Sequence, residues 1–322
     1  MKLSDIQGTS DKKISPFDKV GNKKINQRTV KKKLLGERRQ NKKKVLVDYI
    51  LNGLLLCFVV GFVITVGLIL NYQKDTKNAE KVYENIRPVE KVVLEDDEPM
   101  IFVQYNGRYV WDRYLDAYIK NEDLVGWITI DDTVIDYPVM QTIGDNDYYL
   151  HRDINKAYSA SGTIFADERA DIATLEDNIL LYGHHMKSGT MFASLEKYEN
   201  EEYAKKHKTI YFDTLDGRNE YEVIASFRIS VTNDDFKYYT FYKDNTDFPY
   251  EDYICNIKKR SYLKMPKLNE REQLLTLSTC DYHESNGRFV VVCRKVNDTS
   301  SHLRSYMSYD EYTNNIKDTN LN

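Results

Sequence analysis

Residues 274–294, LLTLSTCDYHESNGRFVVVCR, place a cysteine and an arginine where they can act together. Cys280 ends one apolar run, a polar turn from Asp281 to Gly287 follows, and Arg288 opens a second apolar run over 289–293. Two runs of β-forming residues joined by a loop containing Asn and Gly read as neighbouring strands of one sheet. Thiol and guanidinium then sit at the same end of adjacent strands. Cysteine attacks as a thiolate, so it needs a base or an ion-pair partner. Arginine keeps its proton and offers fixed donors to developing negative charge. Ser278, Thr279 and Asp281 flank the thiol and are the candidate substrate-binding residues; a purely structural part in the strand is their other reading.

The base has to come from six histidines, at 151, 184, 185, 207, 283 and 302. His184 is the leading candidate, because it follows an apolar strand-like run, 179–182, and a glycine that lets the backbone turn sharply. On extended backbone His185 points the opposite way. His283 is the second candidate, three residues from Cys280 in the turn. Position alone leaves both open. A zinc site built from Cys280, His283, His184 and His185 is the rival chemistry, but adjacent histidines rarely bind one ion and no Cys-x-x-Cys pair is present. No GxSxG elbow, P-loop or GxGxxG loop occurs.

Such a site needs a scaffold that brings strand ends together. Short strands are expected at 126–130, 134–140, 162–166, 178–182, 209–214 and 221–230, before the two strands of the opening stretch. Helical turns are expected at 147–151, 191–198 and 201–207, and longer amphipathic helices at 109–121 and 248–263. Eight short strands with scattered helices make the chain mainly β with helices, and point to a closed or nearly closed barrel.

Charge is divided along the chain. Residues 1–44 hold fifteen Lys/Arg and four Asp/Glu, a balance of +11, whereas the whole chain stands at −4. Between basic head and acidic body lie residues 49–70, twenty-two residues without a charge. At 1.5 Å per residue this run spans a hydrocarbon core of about 30 Å. It is too long and begins too late for a cleaved secretory signal. Lys42, Lys43 and Lys44 before it predict a cytoplasmic N-terminus and an exported remainder. This pattern argues against a nucleic-acid partner and for membrane lipid around 49–70. Of the four cysteines, Cys57 lies in the span, so Cys255, Cys280 and Cys293 remain outside, too few and too odd for a disulfide framework. Cys293 and Cys255 read as core residues. The expected organisation is a disordered head over 1–48, the transmembrane helix at 49–70, a stalk over 71–108, a catalytic domain at 109–296 and a polar tail or docked helix at 297–322.

The segments TLSTC at 276–280, Arg288 before FVVV and NILLYGHHMKSGTMF at 178–192 resemble the sortase family. GWITIDDTVIDYPVMQ at 126–141, DYYLHRD at 147–153 and SGTIFAD at 161–167 resemble it too, and the insert at 231–268 is similar to class B. The resemblance implies an eight-stranded sortase barrel behind an N-terminal membrane anchor. It implies Cys280 as nucleophile, His184 as general acid and base, and Arg288 as stabiliser of the oxyanion or of substrate position. The implied reaction is transpeptidation: a secreted protein bearing a C-terminal sorting signal is cut after Thr, and the acyl group passes to an amine of a peptidoglycan peptide. Neither a cofactor nor a metal is implied. Pilin polymerisation, hydrolysis with water as acceptor, and a scaffold with a vestigial site are the alternatives. The long head and the tail after Val296 depart from the family pattern.

Overall fold

The computed structural model describes residues 27–88, 99–175, 178–242, 249–268, 271–283, 286–299 and 301–319. The chain divides into two units, 1–68 and 69–322.

Helix α1 runs over Gln27–Glu84. Within it, Val30–Lys74 contains the stretch long and apolar enough to cross a membrane, with none of that stretch buried by protein. A stretch of helix that is apolar around its circumference and not covered by protein is suited to lipid. Helix already begins at Gln27, so the disorder expected over 1–48 does not hold for residues 27–48. Lys, Arg, Leu, Glu and Gln dominate that segment, and all are good helix formers. The rest of that expectation falls outside the described residues.

In the second unit, α1 ends against the barrel. Tyr83 is buried and donates its hydroxyl to the Gly162 carbonyl at 2.7 Å. Its ring meets Tyr137 edge-on with centroids 5.7 Å apart. Arg87 pairs with Asp136 at 2.9 Å. Within the segment expected as a stalk, 71–108, Tyr83 and Arg87 therefore pack on the domain, and Met100–Tyr105 form strand β1 of it. Asn106 and Gly107, both at positive φ, turn β1 into β2, Arg108–Trp111. A two-residue turn with left-handed residues matches the twist of paired strands. The helix expected at 109–121 is accordingly shorter: a 3-10 turn over Asp112–Tyr114 leads into α2, Leu115–Lys120.

The barrel strands follow as β3 Leu124–Thr129, β4 Asp136–Met140, β5 Ile164–Ala166 and β6 Asn178–Tyr182. Helix α3, Glu201–Lys206, is capped by Asn200, whose side chain accepts from the Tyr203 N–H. Then come β7 Thr209–Thr214, β8 Asn219–Ser230, α4 Tyr250–Arg260, β9 Leu274–Asp281 and β10 Gly287–Asp298. The eight strands close in the order β10-β8-β7-β3-β4-β5-β6-β9. Strand β11, Arg304–Ser308, and helix α5, Tyr309–Thr319, complete the described chain. The C-terminal segment is docked: β11 pairs parallel to β1 from Met100↔Arg304 to Gln104↔Ser308.

Closure explains the continuous apolar runs in β9 and β10. Leu275, Leu277, Phe289, Val291 and Cys293 belong to the cluster shared with the other barrel strands. Leu274, Val290 and Val292 pack instead with Tyr253 and Ile257 of α4. Strands buried on both faces carry no polar alternation. Burial in this cluster pushes the Cys293 thiol far above the ordinary range, which makes it an inert core residue. Cys255, expected in the core, is exposed on α4.

Candidate active site

Register decides which side chains meet. In the antiparallel β9–β10 pair Cys280 stands directly opposite Arg288. Opposed residues of such a pair project to one face, about 5 Å apart at Cβ. On the other side of β9, β6 runs parallel with Tyr182 beside Ser278. The end of β6 thus delivers Gly183 and His184 next to the end of β9.

Gly183 is required by space rather than by a sharp turn. A Cβ there would lie 2.4 Å from Ile164 Cδ1 and 2.7 Å from the Phe192 ring, and its backbone is not left-handed. The two strand ends are then stitched together. The Gly183 N–H donates to the Ser278 carbonyl at 3.2 Å. Thr279 Oγ1 donates to the Gly183 carbonyl at 2.8 Å.

Cys280, His184 and Arg288 line one cavity of about 440 Å³, walled by Leu150, Phe165, Tyr182 and Tyr238. Cys280 is half-buried. His184 Nε2 lies 2.8 Å from the Leu150 carbonyl. A carbonyl can only accept, so Nε2 carries the proton and Nδ1 is left for proton exchange. The ring also stacks on His151, with centroids 5.3 Å apart. Burial lowers the His184 pKa; the bond to Leu150 opposes this, and His151 adds to it, so the ring stays below its ordinary 6.5. Arg288 donates to the Gly287 carbonyl at 2.9 Å and keeps further N–H groups for the cavity.

The three flanking residues differ in placement. Ser278 and Thr279 line the cavity. Ser278 Oγ and the Tyr238 hydroxyl are 2.7 Å apart, and burial pushes the Tyr238 hydroxyl up to about 12. Asp281 does not line it. Its fully buried carboxylate lies 3.0 Å from Arg228 Nε and accepts from His283 Nδ1 at 2.5 Å. Burial alone would raise this carboxyl; His283 and Arg228 outweigh burial and hold it below the usual range. Strand alternation puts Asp281 on the face opposite Cys280, so the sequence expectation of a substrate contact there is corrected to a buried ion pair.

His283 is exposed, bound to Asp281, and absent from the cavity wall, which removes it as the competing base. The rival four-residue zinc set does not converge either. Among the described residues, the side chains whose ligand atoms gather within 4.8 Å are Glu196, Asp281 and His283, without Cys280 or His184.

Sequence reasoning missed the aromatic wall. Tyr238 comes from a 3-10 turn over Tyr238–Thr240 in the β8–β9 connection, where no periodicity marks it. Tyr182 is held from behind, its hydroxyl donating to Asp167 Oδ2 at 3.1 Å. Arg169 grips the same carboxylate through Nε and Nη2, each at 2.7 Å, and its Nη2 also donates to the Tyr239 carbonyl at 3.2 Å. One bidentate pair thereby ties both aromatic walls to β5.

A closed eight-stranded barrel with cysteine, histidine and arginine converging at its strand ends is the architecture of a cysteine acyl-transfer enzyme. A sortase domain is matched over residues 128–296. Sortase B of Listeria monocytogenes is 40% identical over 190 residues, which cover 58% of this chain and 74% of that protein. A crystal structure from Bacillus anthracis described as similar to sortase B superposes with a TM-score of 0.57 at 32% identity, covering 68% of this chain and 96% of that one. The Staphylococcus aureus sortase B–substrate complex superposes with a TM-score of 0.52 at 31% identity, covering 58% of this chain and 86% of that one. The chain belongs to the sortase family, and its relatives are class B sortases. Members of that family are cysteine transpeptidases.

Proposed function

We propose that this enzyme cuts a C-terminal sorting signal after Thr in secreted proteins, with Cys280 as nucleophile, His184 as general acid and base, and Arg288 as oxyanion donor. The convergence of these three side chains on one cavity carries the reading. A relative of the same fold solved as a substrate complex supports taking the cavity as the substrate site. Neutral His184 takes the Cys280 thiol proton on Nδ1 and becomes imidazolium as Sγ attacks the Thr carbonyl, and the oxygen that becomes negative is met by Arg288 N–H groups. Collapse breaks the C–N bond and leaves a thioester on Sγ, while the His184 imidazolium hands its proton to the departing amine. Neutral His184 then removes a proton from the incoming amine, which displaces Sγ and restores the thiolate. Ser278 and Thr279 shape the cavity floor.

The acceptor in this proposal is an amine of a peptidoglycan peptide. Residues 49–70 cross the cell membrane, with the N-terminus cytoplasmic and the domain outside. The deciding experiment incubates the enzyme with a Pro-x-Thr signal peptide and a wall-peptide amine. Product carrying the amine, absent with Cys280→Ala, is expected. Free acid alone under saturating amine would replace transfer by hydrolysis, and full activity of Cys280→Ala would remove the nucleophile assignment.

A further inference from the structure

We propose that His185 is a positioning residue for the transfer reaction: its side chain closes the hydrogen-bond rung that fixes the Cys280 backbone. The inference rests on Cys280 being the nucleophile.

The parallel ladder between β6 and β9 runs from Asn178↔Leu274 to Tyr182↔Ser278. It continues one step further, with the Gly183 N–H on the Ser278 carbonyl at 3.2 Å. Parallel hydrogen bonds advance two residues at a time on each strand. The next pairing along this ladder joins residue 185 to the carbonyl of Cys280. At that point the imidazole stands in the rung, with His185 Nδ1 3.0 Å from the Cys280 carbonyl oxygen. Because the carbonyl only accepts, Nδ1 carries the proton.

The link is reciprocal. The Tyr282 hydroxyl donates back to the His185 carbonyl at 3.1 Å. The two rings lie against each other with centroids 5.3 Å apart. Glu196 Oε1 stands 3.4 Å from the same Nδ1. With Thr279 Oγ1 on the Gly183 carbonyl, the segment before Cys280 and the segment after it are both bound to residues 183–185. His185 itself does not line the catalytic cavity, whereas its chain neighbour His184 does. One dipeptide thus points one ring at the chemistry and uses the other to hold the thiol's main chain. The separation of Sγ from the His184 ring is set across a few covalent bonds and one hydrogen bond. Displacements of about 1 Å in such a pair cost on the order of 10²-fold in rate.

The test compares His185→Asn with His185→Leu in the full-length chain in detergent micelles. Asn places an N–H donor the same number of bonds from Cα as Nδ1; Leu keeps comparable bulk without a donor. The readouts are kcat and KM on a quenched Pro-x-Thr peptide, the alkylation rate of Cys280 by iodoacetamide, and Tm. Expected are a kcat within about threefold of wild type for Asn, and a fall of roughly 10²-fold for Leu with KM nearly unchanged and an altered alkylation rate. Equal losses in both variants, wild-type kcat in Leu, or a loss confined to KM would each overturn the role. Cys280→Ala is run beside them: persistent activity there sinks the nucleophile assignment, whatever His185 shows.

Discussion

At the scale of single residues, the site separates groups that do chemistry from groups that hold them. In the proposed mechanism Arg288 belongs to the first kind. Lysine keeps the charge but loses the planar fork, so Arg288→Lys is expected to lower kcat about 10²-fold or more at unchanged Tm. Near wild-type turnover in a steady-state assay would reduce Arg288 to a strand-end residue. Asp281 belongs to the second kind. Its carboxylate is fully buried against Arg228, and removing one partner of a buried pair costs about 3 kcal/mol or more. Asp281→Ala is therefore expected to lower the denaturation midpoint sharply while KM of the remaining folded enzyme stays near wild type; a raised KM at normal stability would return it to the substrate site.

His184 carries a pH signature of its own. Burial holds its pKa below the ordinary 6.5, so the unfolded chain binds this proton more tightly than the folded one. As pH falls through the unfolded value the unfolded form gains protons first, and this stability contribution is lost; above it the contribution is fully present. Wild-type Tm is expected to rise with pH through the histidine range, and His184→Gln to flatten that rise in a differential-scanning series. An unchanged slope would contradict the buried neutral ring.

At the scale of elements, the C-terminal strand and helix are structural parts of the domain. Strand β11 adds five rungs to β1, and its Tyr306 stacks on Phe102 with centroids 5.4 Å apart. Tyr309 of α5 meets Tyr105 at 5.4 Å. Truncation after residue 299 removes these contacts, estimated at about 2 kcal/mol, which corresponds to a Tm loss of roughly 4–8 °C for a domain of this size. The barrel and its cavity do not include β11, so turnover per folded molecule is expected to survive. Loss of turnover at unchanged Tm would mean instead that the tail serves the reaction.

At the scale of the whole molecule, the proposed topology makes a simple demand. With residues 49–70 across the membrane, external protease on intact spheroplasts is expected to digest the domain and spare a tag at residue 1. The reverse pattern would overturn the orientation argued from Lys42, Lys43 and Lys44.

Much of this protein is readable without coordinates, because the signals involved are local. A 22-residue uncharged run, short β-branched segments between turns, and a cysteine ending such a segment are properties of contiguous sequence. They sufficed for the barrel class, the candidate anchor and the thiol. What tertiary structure decided depends on register and on pairing between distant segments. Asp281 follows Cys280 immediately, yet the pleat turns it toward Arg228. Residues 304–308 read as a polar tail until β1, about two hundred residues earlier, offers an open edge. Sequence could point His184 and His185 to opposite sides but not name what each meets; the end of the β6–β9 ladder sends one to the Leu150 carbonyl beside the cavity and the other to the Cys280 carbonyl. Composition sets which surfaces must be buried, but only closure of the barrel sets which side chains face each other across the strand ends.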